Sequence, residues 1–450
     1  MTDAAAAAPG HAARWRLAAG WGIALRHAAL ALGVLLLLAE AAAIAVRTLG
    51  GGGSLVTTLR VGGLYVAAFH RVPIRLSGRD LDVSSLTAGR ATTGSIELAL
   101  AFAPLAVTAV GAWLLWRGGR AVAEGVGGGP LARALHGAKV APPYAVGVLL
   151  VCLLSSIGGP FPFGSLVSGR LELSAAPVWG FALPLALAGA AGVSSGWWSA
   201  GHAGRLRAAV SGGAWMLSLG LVLSYTGLLI AGSVRPEGVE ALLTPSTARY
   251  HRAVFGSPAT GTAVVVHHLA VAPNEAAFAL VPAMGGCLGV YATRQGAERF
   301  LCYWRYPRQV ALPAALGGAP TQGRFGPAPM PYLLFLLVPA TAALLGGRRA
   351  ALRLGSVSGR EAALAGGLAG VVFGAVLVPL TWLASISASG AVRLEGLLDA
   401  SGAVRVGPGL VGAGLLGLAW GIAGGTAGAW LTARKGRSSR PTGRAGHQRR

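Results

Sequence analysis

Residues 264–307 read VVVHHLAVAPNEAAFALVPAMGGCLGVYATRQGAERFLCYWRYP, and the path of this stretch through a bilayer decides the fold of the chain. Pro273-Asn274-Glu275 interrupts the apolar run near its middle, and Pro282 follows. The two halves are about 11 residues long, too short to cross roughly 30 Å of hydrocarbon alone. Irregular backbone at membrane depth is tolerated only inside protein or beside water. The stretch is therefore either one spanning helix or a segment that enters and leaves on one side.

The distribution of arginine selects between these two paths. If the stretch spans, the four arginines between positions 348 and 360 and the basic C-terminal tail lie outside, together with the majority of Lys and Arg. If it re-enters, the majority lie inside, as the positive-inside rule requires. We therefore predict a re-entrant or interfacial helix-break-helix over residues 262–293, facing outward, with both chain termini in the cytoplasm.

The composition is that of a membrane protein. Of 450 residues, 54% are hydrophobic and only 11% are charged, and the mean hydropathy is +0.62. Glycine, at 71 residues, is poor core material in water, but small residues let transmembrane helices approach closely. The formal charge of +23 is dispersed over short loops and a tail. This favours contact with anionic lipids at the cytoplasmic face over nucleic-acid binding.

Eight further apolar runs are long enough to cross a bilayer, which predicts an all-α polytopic transmembrane helix bundle. The predicted spans lie near residues 28–46, 96–116, 140–158, 177–198, 208–233, 330–347, 362–388 and 409–433. With the broken segment they form one transmembrane domain over residues 1–433, and residues 434–450 form a basic, disordered cytoplasmic tail. Glu40 shortens the first apolar run, so cleavage of residues 1–40 as a signal stays open.

Residues 47–95 mix apolar and basic side chains and fit either an interfacial helix or a pair of strands. A parallel repeat of two-span hairpins is also indicated. The second, fourth and sixth spans each carry a proline and end in a turn rich in Gly and Arg, although a glycine-rich composition also produces chance similarity. Glycines spaced by four recur at positions 366–374 and 417–425, a pattern that brings helix backbones into contact.

Two of the three cysteines are candidates for a disulfide. Cys287 and Cys302 lie on the side that this topology places outside, where disulfides persist, and the glycines before Cys287 allow the chain to turn. We predict a bridge between them; two unpaired thiols at the membrane edge are the alternative. Cys152 lies in the middle of a span and is most simply a small apolar filler.

Five polar side chains fall at membrane depth, where ionisable groups are costly and often functional: Glu40, His267, His268, Asn274 and Glu275. Glu40 is either a snorkelling carboxylate or part of a proton or cation relay. The adjacent histidines point about 100° apart on a helix, so they are interfacial unless a break lets them share a metal. Asn274 caps the second half-helix and Glu275 occupies its positive end, unless the two contact a substrate or an ion.

No enzyme motif is found. Ser194, Ser195 and His202 supply a nucleophile and a base in principle, but serine is frequent in such helices, and HExxH and GxxxxGK[ST] are both missing from the sequence. We therefore expect no catalytic residues, no metal and no cofactor.

The order of an apolar run, Pro273-Asn274, Ala276 to Val281 and then Met284-Gly285-Gly286, on a background of Ala, Gly and Leu spans, resembles actinobacterial multi-pass proteins of unknown function, the streptophobe family. The likeness covers the topology and this short motif, and the chain departs from it in its two outer cysteines. The resemblance implies a plasma-membrane protein without assigned activity, and it supplies no catalytic residues.

Two functions compete. A coupled pump needs several ionisable residues facing the bundle interior, and few candidates exist, which favours a non-catalytic envelope scaffold or membrane-complex subunit that has a membrane-protein partner or forms a homo-oligomer. The repeat and the proline-interrupted spans favour a transporter or permease for a small solute or ion. An intramembrane enzyme is a remote third. Convergence of Glu40 and Glu275 on one cavity would favour transport.

Overall fold

The computed structural model describes residues 18–50, 54–82, 93–163, 167–200, 204–235, 261–292, 296–307, 325–355, 358–394 and 398–438. Seven helical segments within this part of the chain are long and apolar enough to cross a membrane. The predicted polytopic helix bundle is confirmed, and the chain is an integral membrane protein by the length and composition of these helices.

The helices are α1 (Trp21–Gly50), α2 (Leu55–Phe69), α3 (Leu105–Val126), α4 (Pro130–Gly137), α5 (Ala141–Leu154), α6 (Pro177–Ser199), α7 (Gly204–Val234), α8 (Gly261–Ala283), α9 (Leu337–Leu354), α10 (Gly359–Ala384) and α11 (Leu410–Ser438). A 3-10 turn, Ala138–Val140, joins α4 to α5, and another, Met330–Leu336, leads into α9. The strands are β1 (Ile74–Asp82), β2 (Thr93–Ala101), β3 (Ile157–Phe163), β4 (Val167–Ala175), β5 (Leu288–Ala292), β6 (Gly296–Leu301), β7 (Tyr306–Pro307), β8 (Phe325–Gly326), β9 (Ile386–Leu394) and β10 (Leu398–Pro408).

Eight of these strands form one antiparallel sheet in the order β3-β4-β1-β2-β9-β10-β5-β6. Each pair of successive strands follows one helix and precedes another, so all four hairpins lie on the same face of the bundle. The hydropathy pattern does not predict this sheet, except that it leaves strands open between residues 47 and 95. A strand with alternating apolar residues next to an apolar helix lengthens the apolar run of that helix. Composition therefore does not show where the helix ends and the strand begins.

The sheet corrects the ends of three predicted spans. The second span does not begin at Ile96, which lies in β2, but at Leu105. The third begins earlier, at Pro130, and ends at Leu154 before β3. The seventh ends at Ala384, because residues 386–388 belong to β9. The last helix continues past residue 433 to Ser438, and residues 439–450 of the predicted tail lie outside the described part.

Helix α3 is not among the seven apolar helices, because charged residues occupy its last turns. It nevertheless crosses the bundle. It begins next to the sheet, directly after β2, and near its other end Val122 and Val126 contact Gly20, which precedes α1. With α3, eight helical segments run from one face of the bundle to the other within the described residues, the number that the sequence predicts.

The pivotal segment is a re-entrant helix, but it has no break. Helix α8 is continuous through both of its prolines, because neighbouring helices hold a helix together where a proline removes one backbone hydrogen bond. Asn274 contacts helix ends next to the sheet. The carbonyl of Met284 accepts a bond from the side-chain Nε1 of Trp420, a residue about ten positions into α11. The chain then returns, because the carbonyl of Cys287 accepts from Gly409 N just before α11 begins.

Helix α2 follows the same path, although the sequence leaves its conformation open. Gly63 faces Ser155 beside the sheet, at the end of α5. His70 lies deeper, where it bonds Tyr144, about ten residues before that end. The chain then rises again, and the carbonyl of Pro73 accepts from the backbone of Ala176, which precedes α6. Within the described residues, two helices, α2 and α8, therefore enter the bundle from the sheet side and turn back to it; we call them the re-entrant helices.

The chain is built from two tandem halves. Helix α1 packs against α2, α3 and α5, and α7 packs against α8, α9 and α10 in the same arrangement. The sheet repeats likewise, because β4 pairs with β1 in the first half and β10 pairs with β5 in the second. The structure thus contains a parallel repeat, and its unit is five helical elements with two hairpins, larger than the hairpin that the sequence indicates.

Glycine contacts close each half in the same way. Three helices meet at Gly119, Gly137 and Gly192 in the first half and at Gly347, Gly366 and Gly425 in the second. A Cβ atom on any of these would overlap backbone of the neighbouring helix. The spaced glycines of α10 and α11 also face each other as predicted, with Gly370 against Gly421. Small residues allow this close approach of helix backbones.

Candidate functional site

Asn274 joins three chain segments where the sheet meets the bundle. Its Nδ2 donates to the carbonyl oxygens of Ala103, at 2.7 Å, and Ala384, at 3.4 Å. Its Oδ1 accepts the N–H of Leu105 at 2.9 Å. Leu105 begins α3 and Ala384 ends α10, so one amide serves groups at two helix ends that have no partner within their own helices. The predicted cap of a second half-helix is wrong, because a continuous α8 has no free N-terminus at this point.

Arg71 makes the matching connection from the first half. It lies in the turn between α2 and β1 with a φ of +59° and is buried. Its guanidinium donates to the carbonyls of Leu383, at 3.0 Å, and Ser385, and to Ser387 Oγ at 2.7 Å. It also lies 4.6 Å from the centre of the Trp382 ring. These carbonyls form the negative end of α10, which compensates a buried positive charge.

Residues 382–387 are therefore contacted by both re-entrant segments, through Arg71 and through Asn274. Arg405 of β10 joins them, because it donates to Ser385 Oγ at 3.1 Å and to the carbonyl of Pro408 at 2.9 Å. We call Arg71, Asn274, Arg405 and residues 382–387 the junction hub. Its bonds run from side chains to backbone or hydroxyl groups, which makes the hub a connection between the two halves.

A side-chain hydrogen bond also holds the deep end of each re-entrant helix. His70 Nδ1 donates to the carbonyl of Val66 at 2.7 Å, and Nε2 lies 2.7 Å from Tyr144 Oη. Because the carbonyl can only accept, Nδ1 carries a proton, and the hydroxyl of Tyr144 is the partner of Nε2. In the second half, Trp420 Nε1 donates to the carbonyl of Met284 at 3.0 Å.

The two glutamates lie at equivalent interfaces. Glu40 of α1 faces Gly62 of α2, and Glu275 of α8 lies beside Tyr225 of α7. In both cases the carboxylate is between the first span of a half and its re-entrant helix. Glu275 is only 6% exposed, and one carboxylate oxygen of each glutamate has no hydrogen-bond partner. Glu40 contacts α2 and Glu275 contacts α7, so each carboxylate packs against helices of its own half.

The structure does not assemble the other candidates. His267 and His268 lie in the first half of α8, and their side chains lie outside the described part of the chain. Ser194 and Ser195 each donate to a carbonyl of their own helix, and His202 is outside the described residues. Among the described side chains, no three His, Cys, Asp or Glu residues come close enough to hold a metal ion.

Cys287 and Cys302 form a disulfide, with sulfur atoms 2.07 Å apart. The bridge ties the segment that leaves α8 to the end of β6 on the sheet side of the bundle. Tyr303 lies next to it, and burial raises the pKa of Tyr303 to about 12. Cys152 is buried and unbridged, in contact with the position of Gly180, as expected of a small apolar filler.

The sheet has one apolar face and one polar face. A groove of about 710 Å³ lies on the apolar face. Its lining includes large apolar side chains and two glycines: Ile74, Leu76, Leu98, Leu100, Leu173, Val404, Gly390 and Gly402. Leu98 is 42% exposed and Leu100 is 51% exposed, so no described residue covers the groove. On the opposite face Ser77 pairs with Glu97 and Glu172. We call the apolar surface the sheet groove.

Sequence reasoning missed Arg71, His70, Tyr144 and Arg405, as well as the sheet groove. The signal available was alternation: apolar and polar residues alternate from position 74 to 77 and again from 170 to 173. The similar pieces Ser77-Gly78-Arg79 and Ser168-Gly169-Arg170, which look like outer loops in sequence, are parts of the paired strands β1 and β4. No pattern in the sequence indicates which carbonyl groups Arg71 reaches.

Comparisons with protein-family models, with curated proteins and with solved structures find no match to this chain.

Proposed function

We propose that this integral membrane protein is a non-catalytic scaffold or complex subunit of the plasma membrane, and that the sheet groove is where a partner protein docks. The observation that carries this proposal is the exposed apolar face of the sheet. Soluble surfaces rarely leave such a face uncovered, and large exposed apolar patches mark interaction sites. A volume of about 710 Å³ falls in the range of pockets that bind a defined group.

The height of the apolar face favours a protein partner over lipid tails. Among the described elements, the sheet has few contacts with the helices, which fits strands that project from the bundle. Ile96 pairs with Val392 in the apolar row above Leu98, five residues from the end of β2. At about 3.3 Å per residue this row lies roughly 17 Å from the helices. Hydrocarbon chains of the bilayer do not cover side chains at that height, whereas a partner protein does.

The interior of the bundle supports a scaffold over a conduit. The glycine contacts join helix backbones directly in both halves, and a side-chain hydrogen bond holds the deep end of each re-entrant helix. Glu40 and Glu275 contact helices of different halves, and neither lines any of the grooves described here. A coupled transporter instead needs ionisable groups that share a water-filled path.

Site-specific photo-crosslinking tests the docking surface. A photoreactive residue in place of Leu98 samples the sheet groove, and one in place of Glu97 samples the polar face of the same strand. In native membranes we expect a discrete, stoichiometric protein adduct at position 98 and none at 97. The adduct should disappear in Leu100→Glu, which places a charge in the groove. Adducts with lipid alone, or equal adducts at both positions, would reject the scaffold.

Transport is the second candidate, and one observation favours it. Each half places a carboxylate with an unbonded oxygen between a span and a re-entrant helix, and half-helices that end inside the bundle are common at transporter binding sites. If the protein carries protons or cations, reconstituted vesicles should show a pH- or cation-dependent flux that Glu275→Gln abolishes. Absence of flux across protons, sodium and potassium would leave the scaffold as the remaining proposal.

We also propose that the sheet faces outward and both termini face the cytoplasm. The disulfide lies on the sheet side, which fits an oxidising compartment. The basic clusters at the ends of α3, α9 and α11 lie on the opposite side, as the positive-inside rule requires. Cysteines introduced at Leu352 and Gln448 should resist an impermeant maleimide on intact cells. Labelling of either would reverse the orientation.

A further inference from the structure

A groove of about 540 Å³ lies between α1 and α3, far from the sheet. Its polar and aromatic lining is His27, Trp113, Trp116, Arg117, Arg120 and Glu124, and leucines of the same two helices complete it. It is on the face opposite the sheet groove, because it surrounds the last turns of α3. The scaffold proposed above makes no use of this groove.

Glycine shapes the groove. Gly111, Gly118 and Gly125 recur every seven residues along α3, and they face Leu35, His27 and Ile23 of α1. A Cβ at Gly118 would lie 2.6 Å from the Cβ of His27, so only glycine lets this imidazole seat against α3. The imidazole is thereby directed into the groove beside Arg117.

The groove is positively charged. Arg120 Nε forms an ion pair with Glu124 at 2.7 Å, which uses the carboxylate of the groove. The Arg117 guanidinium lies 5.1 Å from the centre of the Trp113 ring, and it has no ion-pair partner among the described residues. The Trp113 side chain is 53% exposed, so one edge of the Arg117–Trp113 pair faces the surroundings of the bundle. The site therefore offers one unpaired guanidinium and a second that can be shared.

We propose that this groove binds the headgroup of an anionic phospholipid. The phosphate lies against Arg117 and Arg120, because guanidinium groups match the geometry of phosphate oxygens. One acyl chain follows Leu30 and Leu114, which line the deeper part of the groove. Tryptophan at this level sits where headgroups meet hydrocarbon, the position that its ring prefers. The ligand is thus a lipid with a negative phosphate headgroup and a tail.

Native mass spectrometry of the full chain, released from detergent with added phosphatidylglycerol or phosphatidylcholine, tests the site. We expect one retained phosphatidylglycerol per chain and weaker retention of the zwitterionic lipid. Arg117→Ala should weaken retention of phosphatidylglycerol roughly fivefold, the effect of one basic residue near a charged lipid. Arg117→Lys should restore much of it. These variants should fold, because the Arg117 side chain is exposed at the surface of the bundle.

Arg434→Ala is the matched control. Arg434 lies 4.2 Å from the Trp430 ring at the end of α11, an arginine over a tryptophan on the same face but not in the groove. We expect this variant to retain phosphatidylglycerol as the wild type does. Equal losses in the two alanine variants would show diffuse surface attraction and overturn the site. If glycerol phosphate displaced the lipid at a concentration similar to that of the added phosphatidylglycerol, the groove would be a site for a soluble phosphate, and the lipid site would be overturned.

Discussion

Replacement of Asn274 by leucine tests the junction hub most directly. The change removes an acceptor from the N–H of Leu105 and a donor from the carbonyls of Ala103 and Ala384. A buried group left without its partner costs about 1–3 kcal/mol, whereas an average hydrogen bond between membrane helices is worth only about 0.6 kcal/mol. Asn274 makes two short hydrogen bonds and one long one, and the structure around a leucine can relax in part. We therefore expect the free energy of unfolding to fall by about 2–4 kcal/mol.

Thermal unfolding followed by alkylation of Cys152 measures this loss, because that thiol is buried and is the one described cysteine outside the disulfide. At roughly 2 °C per kcal/mol, Tm should fall by about 4–8 °C. Asn274→Asp should be at least as harmful, since its second oxygen faces the carbonyl of Ala103. The control is Thr226→Ala, whose hydroxyl bonds only its own helix. A Tm within 1 °C of the wild type for Asn274→Leu would refute the hub as the connection between the halves.

Three further outcomes are expected. Gly192→Ala should prevent folding, because the added Cβ would overlap the backbone at Gly137. Gly189→Ala should be tolerated, because the nearest atom to its Cβ is 4.0 Å away. The yield of detergent-solubilised protein and its size-exclusion profile distinguish the two variants. Reduction of the disulfide, or Cys287→Ser, should lower stability by about 3 kcal/mol for a loop of this length, and no change in Tm with reductant would contradict it. Arg71→Lys keeps the charge but loses the forked donor geometry, so Tm should fall by several degrees; an unchanged Tm would show that charge alone suffices.

The sequence by itself determined the membrane class and the number of spans, and it favoured entry and exit of the segment around Asn274 on one side. These follow from hydropathy and from the sidedness of arginine, which act on whole segments and need no knowledge of contacts. The disulfide followed from the same topology, because it placed Cys287 and Cys302 on one side and close along the chain. The glycine rows of α10 and α11 were also readable, because a spacing of four puts residues on one helix face.

Only the tertiary structure decided the sheet, the tandem halves and the hub. Strands that continue an apolar helix carry the same hydropathy as the helix, so their boundary depends on pairing with distant strands. The role of Asn274 depended on the ends of α3 and α10, which lie more than 100 residues away along the chain. The separation of Glu40 from Glu275, which favours a scaffold over transport, likewise depends on how the two halves pack. Long-range contacts of this kind leave no periodic pattern in a single sequence.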